Sequence, residues 1–506
     1  MNPYRRDTFL KGMLEQAHRF IGQQDELEWL LAQISEDRPA GVSLVGPWGI
    51  GKSFLLTFLA APEGARRTHA HMLGPRFAAD PERLLFVPID LEDHTAVEQA
   101  KQHFLSVLYE RLLDEVGKLL NVADARTLPL DQLPETPFSS VEVLRSQAQR
   151  ALRLAQNEAD DDELRERSEA VLGPAFPGKL LALLRRLERW CIRVVFLIDD
   201  FDNVVSALTH DVFDHLRELL SYASLIVTTR QALSELVPSE IASSPFFNLL
   251  QRINLVSLHF MLPEEARRMI TEPPTWFEHT KDFQFSDSDV AFILELTGCH
   301  PDLIRVSCET LYMRYRRRRS AQQSDVLPPE ERLYIRALLR TTFVDFFAVL
   351  WHQMSSEEQL LLFRIATADD AGLKMIQVTS SSLNMLINRG YVIYDAGRYR
   401  LFAGLFSDYV REQAVNVVRP EPELARLQLT DMEQKFIDLL KTRPGMMAHR
   451  DEIIEVLYAV RPNDEQAQSY YGRLDALIFR LRNKLDDEAI LIENIRKQGY
   501  RLVFTR

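Results

Sequence analysis

Residues 44 to 56, LVGPWGIGKSFLL, run from an apolar strand through a glycine-studded turn into an apolar helix. Within them Gly46, Gly51, Lys52 and Ser53 stand in the order G-x-x-x-x-G-K-S. No other stretch narrows the possible folds as far. The glycines, Gly49 among them, allow backbone angles closed to other residues and turn N–H groups toward an anion. The helix that begins near Lys52 adds the positive end of its dipole. In such a loop the lysine reaches the β- and γ-phosphates of a nucleotide, and the hydroxyl of Ser53 ligates Mg²⁺. Phe54 belongs to the same junction.

A phosphate cradle of this type calls for a second apolar strand that ends in acid. RVVFLIDDFDNV supplies it, Val194 to Ile198 leading into Asp199 and Asp200. Asp199 is placed to hold the metal through water, and Asp200 to orient the attacking water. A third strand, SLIVTTR, ends in Thr228, Thr229 and Arg230. Polar groups at the carboxyl ends of parallel strands face the ligand crevice. Arg230 there reads either as a γ-phosphate contact or as a surface arginine capping its strand. LLFVPIDLED is a further buried strand, so an α/β sandwich with a parallel sheet is expected.

At 506 residues the chain exceeds what one core supports, and three or four domains are expected. Cys191, Cys299 and Cys308 lie far apart without metal-ligand or disulfide spacing and read as reduced, buried thiols. No apolar run reaches the roughly 18 residues of a membrane helix, so a cytoplasmic protein without membrane contact is expected. The formal net charge of −13 argues against a protein coated in nucleic acid. It leaves room for one local DNA-binding module. TLPLDQLPETPFSS reads as a loop and NEADDDELRERSEA as a charged helix or linker, with no nameable chemistry. Arg314 and Arg316 to Arg319 form a cluster that suits phosphates, an acidic partner or a solvated helix end.

The succession RFIGQQDEL, phosphate loop, LIDDFDNV, LIVTTR and LELTGCHPDLIRVSCETL resembles the STAND class of AAA+-related P-loop ATPases. The likeness spans roughly residues 15 to 415. It implies a signalling switch with a nucleotide-binding domain (1–260), a helical lid (261–340) and a winged helix packed on the ATPase (341–418). It implies ATP or ADP with Mg²⁺ as ligands. By position, Ile21 and Gly22 match the segment lining the adenine pocket, and Pro301 the lid proline that packs on the nucleotide. His300 beside it is either a ligand contact or a structural histidine. The chain departs from the pattern at Gln23, where arginine is common, and at Cys299, where glycine is usual. No histidine matching the ADP-sensing one of some relatives is evident in the later winged helix.

Residues 419–506 read as a second recognisable unit. Apolar positions at Phe436, Ile437, Leu439 and Leu440, then at Ile453, Ile454, Val456 and Leu457, mark two helices. Leu474, Ile478, Leu481 and Leu485 stripe a third. AILIENIRKQGYRLVF supplies two strands with Lys497 in their turn. LIFRLRNKL and IRKQGYRLV resemble the helix and wing signatures of the OmpR/PhoB-type effector domain, except that Lys497 replaces a glycine. That likeness implies double-stranded DNA as partner, the third helix entering the major groove. Arg473 and Arg480 would then face base edges, and Arg482, Lys484, Arg496 and Arg501 phosphates, with Lys497 in the wing.

Together these readings predict an α/β P-loop domain with a helical lid, followed by two winged helices. The function expected is an ATP-binding switch controlling DNA binding, a bacterial-type transcription regulator that joins the nucleoid when bound. Nucleotide-dependent self-association and an unidentified activating ligand or protein go with it. ATP hydrolysis, if it occurs, serves the switch. An ATPase assembling on nucleic acid in defence, transposition or replication is the alternative, as is a scaffold whose winged helices bind protein.

Overall fold

The computed structural model describes residues 2–15, 20–173, 176–242, 244–251, 254–320, 327–367, 381–395, 397–418, 429–441, 447–458, 467–485, 490–495 and 499–504. They divide into two compact units, Met1–Ile335 with Asn388–Gly390, and Arg336–Ile387 with Tyr391–Arg506.

The first unit opens with α1 (Arg6–Glu15) and α2 (Gln24–Ile34). β1 (Gly41–Val45), α3 (Lys52–Ala60) and β2 (Leu84–Asp90) follow. Four helices then intervene before the next strand: α4 (His94–Leu120), α5 (Val141–Gln156), α6 (Asp161–Leu172) and α7 (Gly178–Arg189). β3 (Arg193–Asp199), α8 (His210–Leu219), β4 (Ala223–Thr229) and the short β5 (Leu255–Ser257) complete the sheet. Its order is β2-β3-β4-β1-β5, every pair parallel. β3 and β4 are buried along almost their whole length, as Val/Leu/Ile runs in a doubly covered sheet should be.

The four-helix insertion shares the sheet's core. Leu180, Leu183, Leu184 and Leu187 recur at helical spacing on α7 and are fully buried. The proline-containing stretch before α5 is a loop, as its composition predicts, but it is not peripheral. Leu128, Leu130, Leu133 and Phe138 are buried in the same core. The Arg186 guanidinium donates to the carbonyls of Leu130 and Leu133, and the Trp190 indole donates to Pro134 O at 2.8 Å. Three polar bonds thus fix a segment that has no helix or sheet to satisfy its carbonyls.

Beyond the sheet, α9 (Pro263–Thr271), α10 (Asp287–Thr297) and α11 (Pro301–Ser320) form the helical part that was expected as a lid. Glu331 receives Arg314 at 2.9 Å and Arg318 at 2.5 Å, and Arg319 lies over the Phe283 ring. Much of the arginine cluster is therefore engaged inside the unit. α12 (Pro329–Thr342) contains the boundary between the units.

In the second unit α13 (Val344–His352), α14 (Ser356–Thr367), α15 (Ser381–Asn388), the hairpin β6 (Val392–Asp395) and β7 (Arg398–Leu401), and α16 (Gly404–Val418) give the expected helices and wing. Phe347, Phe402 and Phe406 fill its centre. The C-terminal module consists of α17 (Asp431–Lys441), β8 (Met447–Ala448), α18 (Arg450–Tyr458), α19 (Ala467–Leu485), β9 (Ile490–Ile495) and β10 (Gly499–Phe504). Its sheet runs β8-β10-β9, antiparallel throughout. Leu474, Leu477, Ile478 and Leu481 of α19 close on Phe436, Ile437, Ile453 and Ile454. Val456, expected with the core of the second helix, is instead 52% exposed. Among the described residues no helix is long and apolar enough to cross a membrane.

Candidate functional site

The loop between β1 and α3 has the conformation its glycines predict. Gly49 and Gly51 take φ of 73° and 107°, where a side chain would be strained. A Cβ on Gly49 would also lie 2.8 Å from Cε1 of His300. The backbone N–H groups at the start of α3 have no partner inside the helix, which makes the loop an anion cradle. Lys52 is buried at its mouth, its ammonium donating to Gly46 O at 2.7 Å and Pro47 O at 3.1 Å. Burial pulls its pKa below the usual lysine value, opposed by the charges of Asp200, Asp199 and Asp202.

Two strand ends, those of β3 and β4, meet beside it. Thr228 Oγ1 donates to Asp199 Oδ1 at 2.5 Å and accepts from the Asp200 N–H at 2.9 Å. Asp200 sits in the left-handed region with φ of 52°, and its carboxyl lines the same cavity as Lys52 and Ser53. Burial, then the neighbouring Asp199 and Asp202, push its pKa up to about 6. Ser53 and the carboxylates offer the oxygen donors that Mg²⁺ prefers. Among the described residues no three His, Cys, Asp or Glu side chains gather as a metal centre. A magnesium ion held by Ser53, by phosphate oxygens and by Asp199 through water fits that donor set. Arg230 does not line the cavity. Its Nε lies 3.1 Å from Asp202 Oδ2 and its Nη2 donates to Asn203 Oδ1 at 3.4 Å.

The cavity, about 300 Å³, is polar at one end and apolar at the other. Phe9, Met13, Phe20, Ile21, Met261 and Trp276 form the apolar end, a slot suited to a nucleobase. Ile21 lines the cavity, and Gly22 takes φ of 85° beside it. Phe54 packs edge-on against Phe9 at 5.9 Å between ring centroids. The contribution of α1 was missed in the sequence. Its only local signal is the spacing of Phe9 and Met13, four apart on one helical face. What brings α1 to the cavity lies far along the chain, since Tyr4 donates to Ile270 O and Phe9 packs against Trp276 at 5.2 Å.

Gln23, the departure from the expected arginine, donates its amide to Ile50 O at 2.8 Å and so ties the start of α2 to the phosphate loop. Pro301 opens α11 and lines the cavity. His300 proves to be a structural histidine. It is 1% exposed, its Nδ1 accepts from Leu303 N at 3.4 Å, and its Nε2 therefore donates to Trp48 O at 3.1 Å. The ring bridges the first turn of α11 and the phosphate loop. Burial lowers its pKa to about 4. The folded protein thus keeps the ring neutral while the unfolded chain protonates it near pH 6.5, so stability is full above that pH and falls as pH drops toward 4. The loss is on the order of 3 kcal/mol. Thermal melts should show the wild type losing ground relative to His300→Gln between pH 6.5 and 4; parallel curves would refute this.

In the C-terminal module the expected DNA-binding residues divide. Arg473 and Arg480 are exposed on α19, Arg473 stacking on Tyr470 at 4.8 Å. Arg482 instead donates through Nε and Nη2 to Ile492 O at 3.0 and 2.7 Å, bracing α19 against β9. Lys484 pairs with the buried Glu433 at 2.7 Å, and Arg501 pairs across the hairpin with Glu493 at 2.6 Å. Each of the three thus has a partner within the module. Stripe position alone could not reveal those partners. Arg496 and Lys497 lie outside the described residues.

Loop, acidic strand end and sheet order define a P-loop NTPase domain with a parallel five-stranded sheet, joined to a winged helix. Two families match: the KAP family P-loop domain over residues 25–229, and the transcriptional regulatory protein, C terminal, over residues 425–502. The chain thus carries a KAP-type P-loop NTPase domain and an OmpR/PhoB-type winged helix. Similar solved structures include the Walker-type ATPase PABY2304 of Pyrococcus abyssi, 12% identical over 77% of this chain and 96% of that one, TM-score 0.43. The ORC2 protein of Aeropyrum pernix is 12% identical over 80% and 97%, TM-score 0.41. The RuvB branch migration motor of Thermotoga maritima is 14% identical over 79% and 95%, TM-score 0.30. No curated protein matches the chain significantly.

Proposed function

We propose that the chain is an ATP-binding switch that controls DNA binding by its C-terminal winged helix, in the manner of a transcription regulator. One observation carries the reading. A nucleotide-sized cavity with a phosphate loop shares a chain with a helix whose outer face carries Arg473 and Arg480 free of ion pairs among the described residues. Among the described residues no group of three or more His, Cys, Asp or Glu side chains is placed to hold a metal ion as a catalytic centre.

In this reading the loop N–H groups and Lys52 hold the phosphates and the apolar end holds the base. Mg²⁺ supplies charge neutralisation at the β- and γ-phosphates. Asp200, whose carboxyl faces the cavity, orients the water that attacks the γ-phosphate. Its raised pKa suits a group that accepts a proton near neutrality. Asp199 is held by Thr228 for the metal's water shell. ATP favours the self-associated, DNA-competent form and hydrolysis resets it. Paired readers then bind two half-sites and gain by avidity.

Fluorescence anisotropy of the full-length protein on duplex DNA, with ADP and with a non-hydrolysable ATP analogue over a salt series, tests this. Binding that tightens with the analogue and weakens as salt rises is expected. Equal affinity in both nucleotide states would overturn the switch.

A further inference from the structure

The outer face of α19 carries a side chain that neither the fold nor the expected basic contacts account for. Phe479 is 66% exposed, the largest exposure of any aromatic side chain described. It follows the buried Leu477 and Ile478, so the turn of the helix aims it directly away from the core. One turn and two turns earlier on the same face stand Ala476 and Gly472, both exposed. A Cβ on Gly472 would meet nothing within 4 Å, so packing does not require the glycine, although a glycine inside a helix weakens it. The phenyl ring therefore stands at the end of a flat floor.

Arg473 and Arg480 flank that floor, seven residues apart with Ala476 between them. The acid beside this face, Asp475, has a side chain 55% exposed; it pairs with Arg450 and accepts from the Tyr500 hydroxyl at 3.0 Å. The surface is thus an apolar ridge in a cationic frame. The major groove offers its complement: phosphates at the rims for the arginines and, on its floor, one apolar group, the C5-methyl of thymine.

We infer that Phe479 is a sequence-reading residue that packs against thymine methyl groups in the major groove, so that the preferred duplex carries thymine where α19 crosses it. The inference rests on the DNA-binding reading proposed above. It assigns discrimination to a residue without hydrogen-bonding capacity, where the basic side chains supply charge.

A random 30-base-pair duplex pool enriched on the full-length protein gives the probe. The enriched duplexes are then prepared with thymine and with deoxyuridine, which pairs identically but lacks the methyl. The wild type should bind the uridine duplex more weakly by about fourfold for each methyl removed from contact. Phe479→Ala should bind the thymine duplex as weakly as the uridine one, and Phe479→Leu should restore part of the preference. Arg480→Ala should weaken binding to both duplexes while keeping their ratio. A thymine preference that survives Phe479→Ala, or its absence from the wild type, would overturn the inference and leave the DNA reading standing. Failure of the wild type to enrich any duplex, with Phe479→Ala altering the mass of a protein assembly by light scattering, would overturn both and give the ridge to a protein partner.

Discussion

Lys52→Ala is expected to lower the affinity for ATP and ADP by tenfold to a hundredfold, measured by isothermal titration calorimetry. Lys52 is the only cationic side chain of the phosphate loop, and its ammonium is already held at the mouth of the cradle by Gly46 and Pro47. A hydrogen bond to a charged partner contributes roughly 1.5–3 kcal/mol, which sets the range. Removing it also leaves Asp200, which lines the cavity, near an anionic ligand with less compensation. The Asp200 carboxyl, which Lys52 helps to pull down, should rise further. The same variant should lose the stabilisation against heat that a bound nucleotide gives the native state. Unchanged affinity would place the nucleotide elsewhere.

Gly499→Ala should act at the other end of the chain. The residue has φ of 124°, and a Cβ there would lie 2.0 Å from the carbonyl oxygen of Ala448. That atom belongs to backbone, so no rotamer change relieves the clash. β8 must then part from β10, breaking the pairing of Tyr500 with Ala448 and of Arg501 with Met447. The buried Tyr500, whose hydroxyl reaches Asp475, is displaced with it. Strain at a left-handed position together with overpacking costs on the order of 3–5 kcal/mol, a large share of what holds a small domain folded. Urea denaturation of the full chain should show an early transition for the C-terminal module, with DNA binding lost and nucleotide affinity unchanged. A wild-type transition would mean that the wing accommodates the side chain by another route.

Much of the fold was legible because its signals are local. Strand burial is written in continuous apolar runs such as VVFLI, and helix faces in the spacing of Leu474, Ile478 and Leu481. Val456 misled because an apolar residue one position off the stripe of a short helix looks the same as one on it. The partners of Lys484 and Arg482 were hidden for a related reason. The charge of the two side chains is visible in the sequence, but Glu433 lies 51 residues from Lys484, and a backbone carbonyl such as that of Ile492 has no sequence signature.

The sequence by itself determined where phosphate would be held, because the cradle is made of backbone, and backbone conformation follows from glycine spacing within a few residues. It also determined the acidic strand end and the class of the C-terminal module. Only the tertiary structure decided what closes the apolar end of the cavity, where Phe9, Met261 and Trp276 meet from segments more than 250 residues apart in the chain. It likewise decided that His300 is a neutral strut, since burial and both hydrogen-bond partners of its ring come from the packing of α11 on the loop. Side-chain roles set by desolvation and distant partners are properties of the folded surface, and a linear pattern does not encode them.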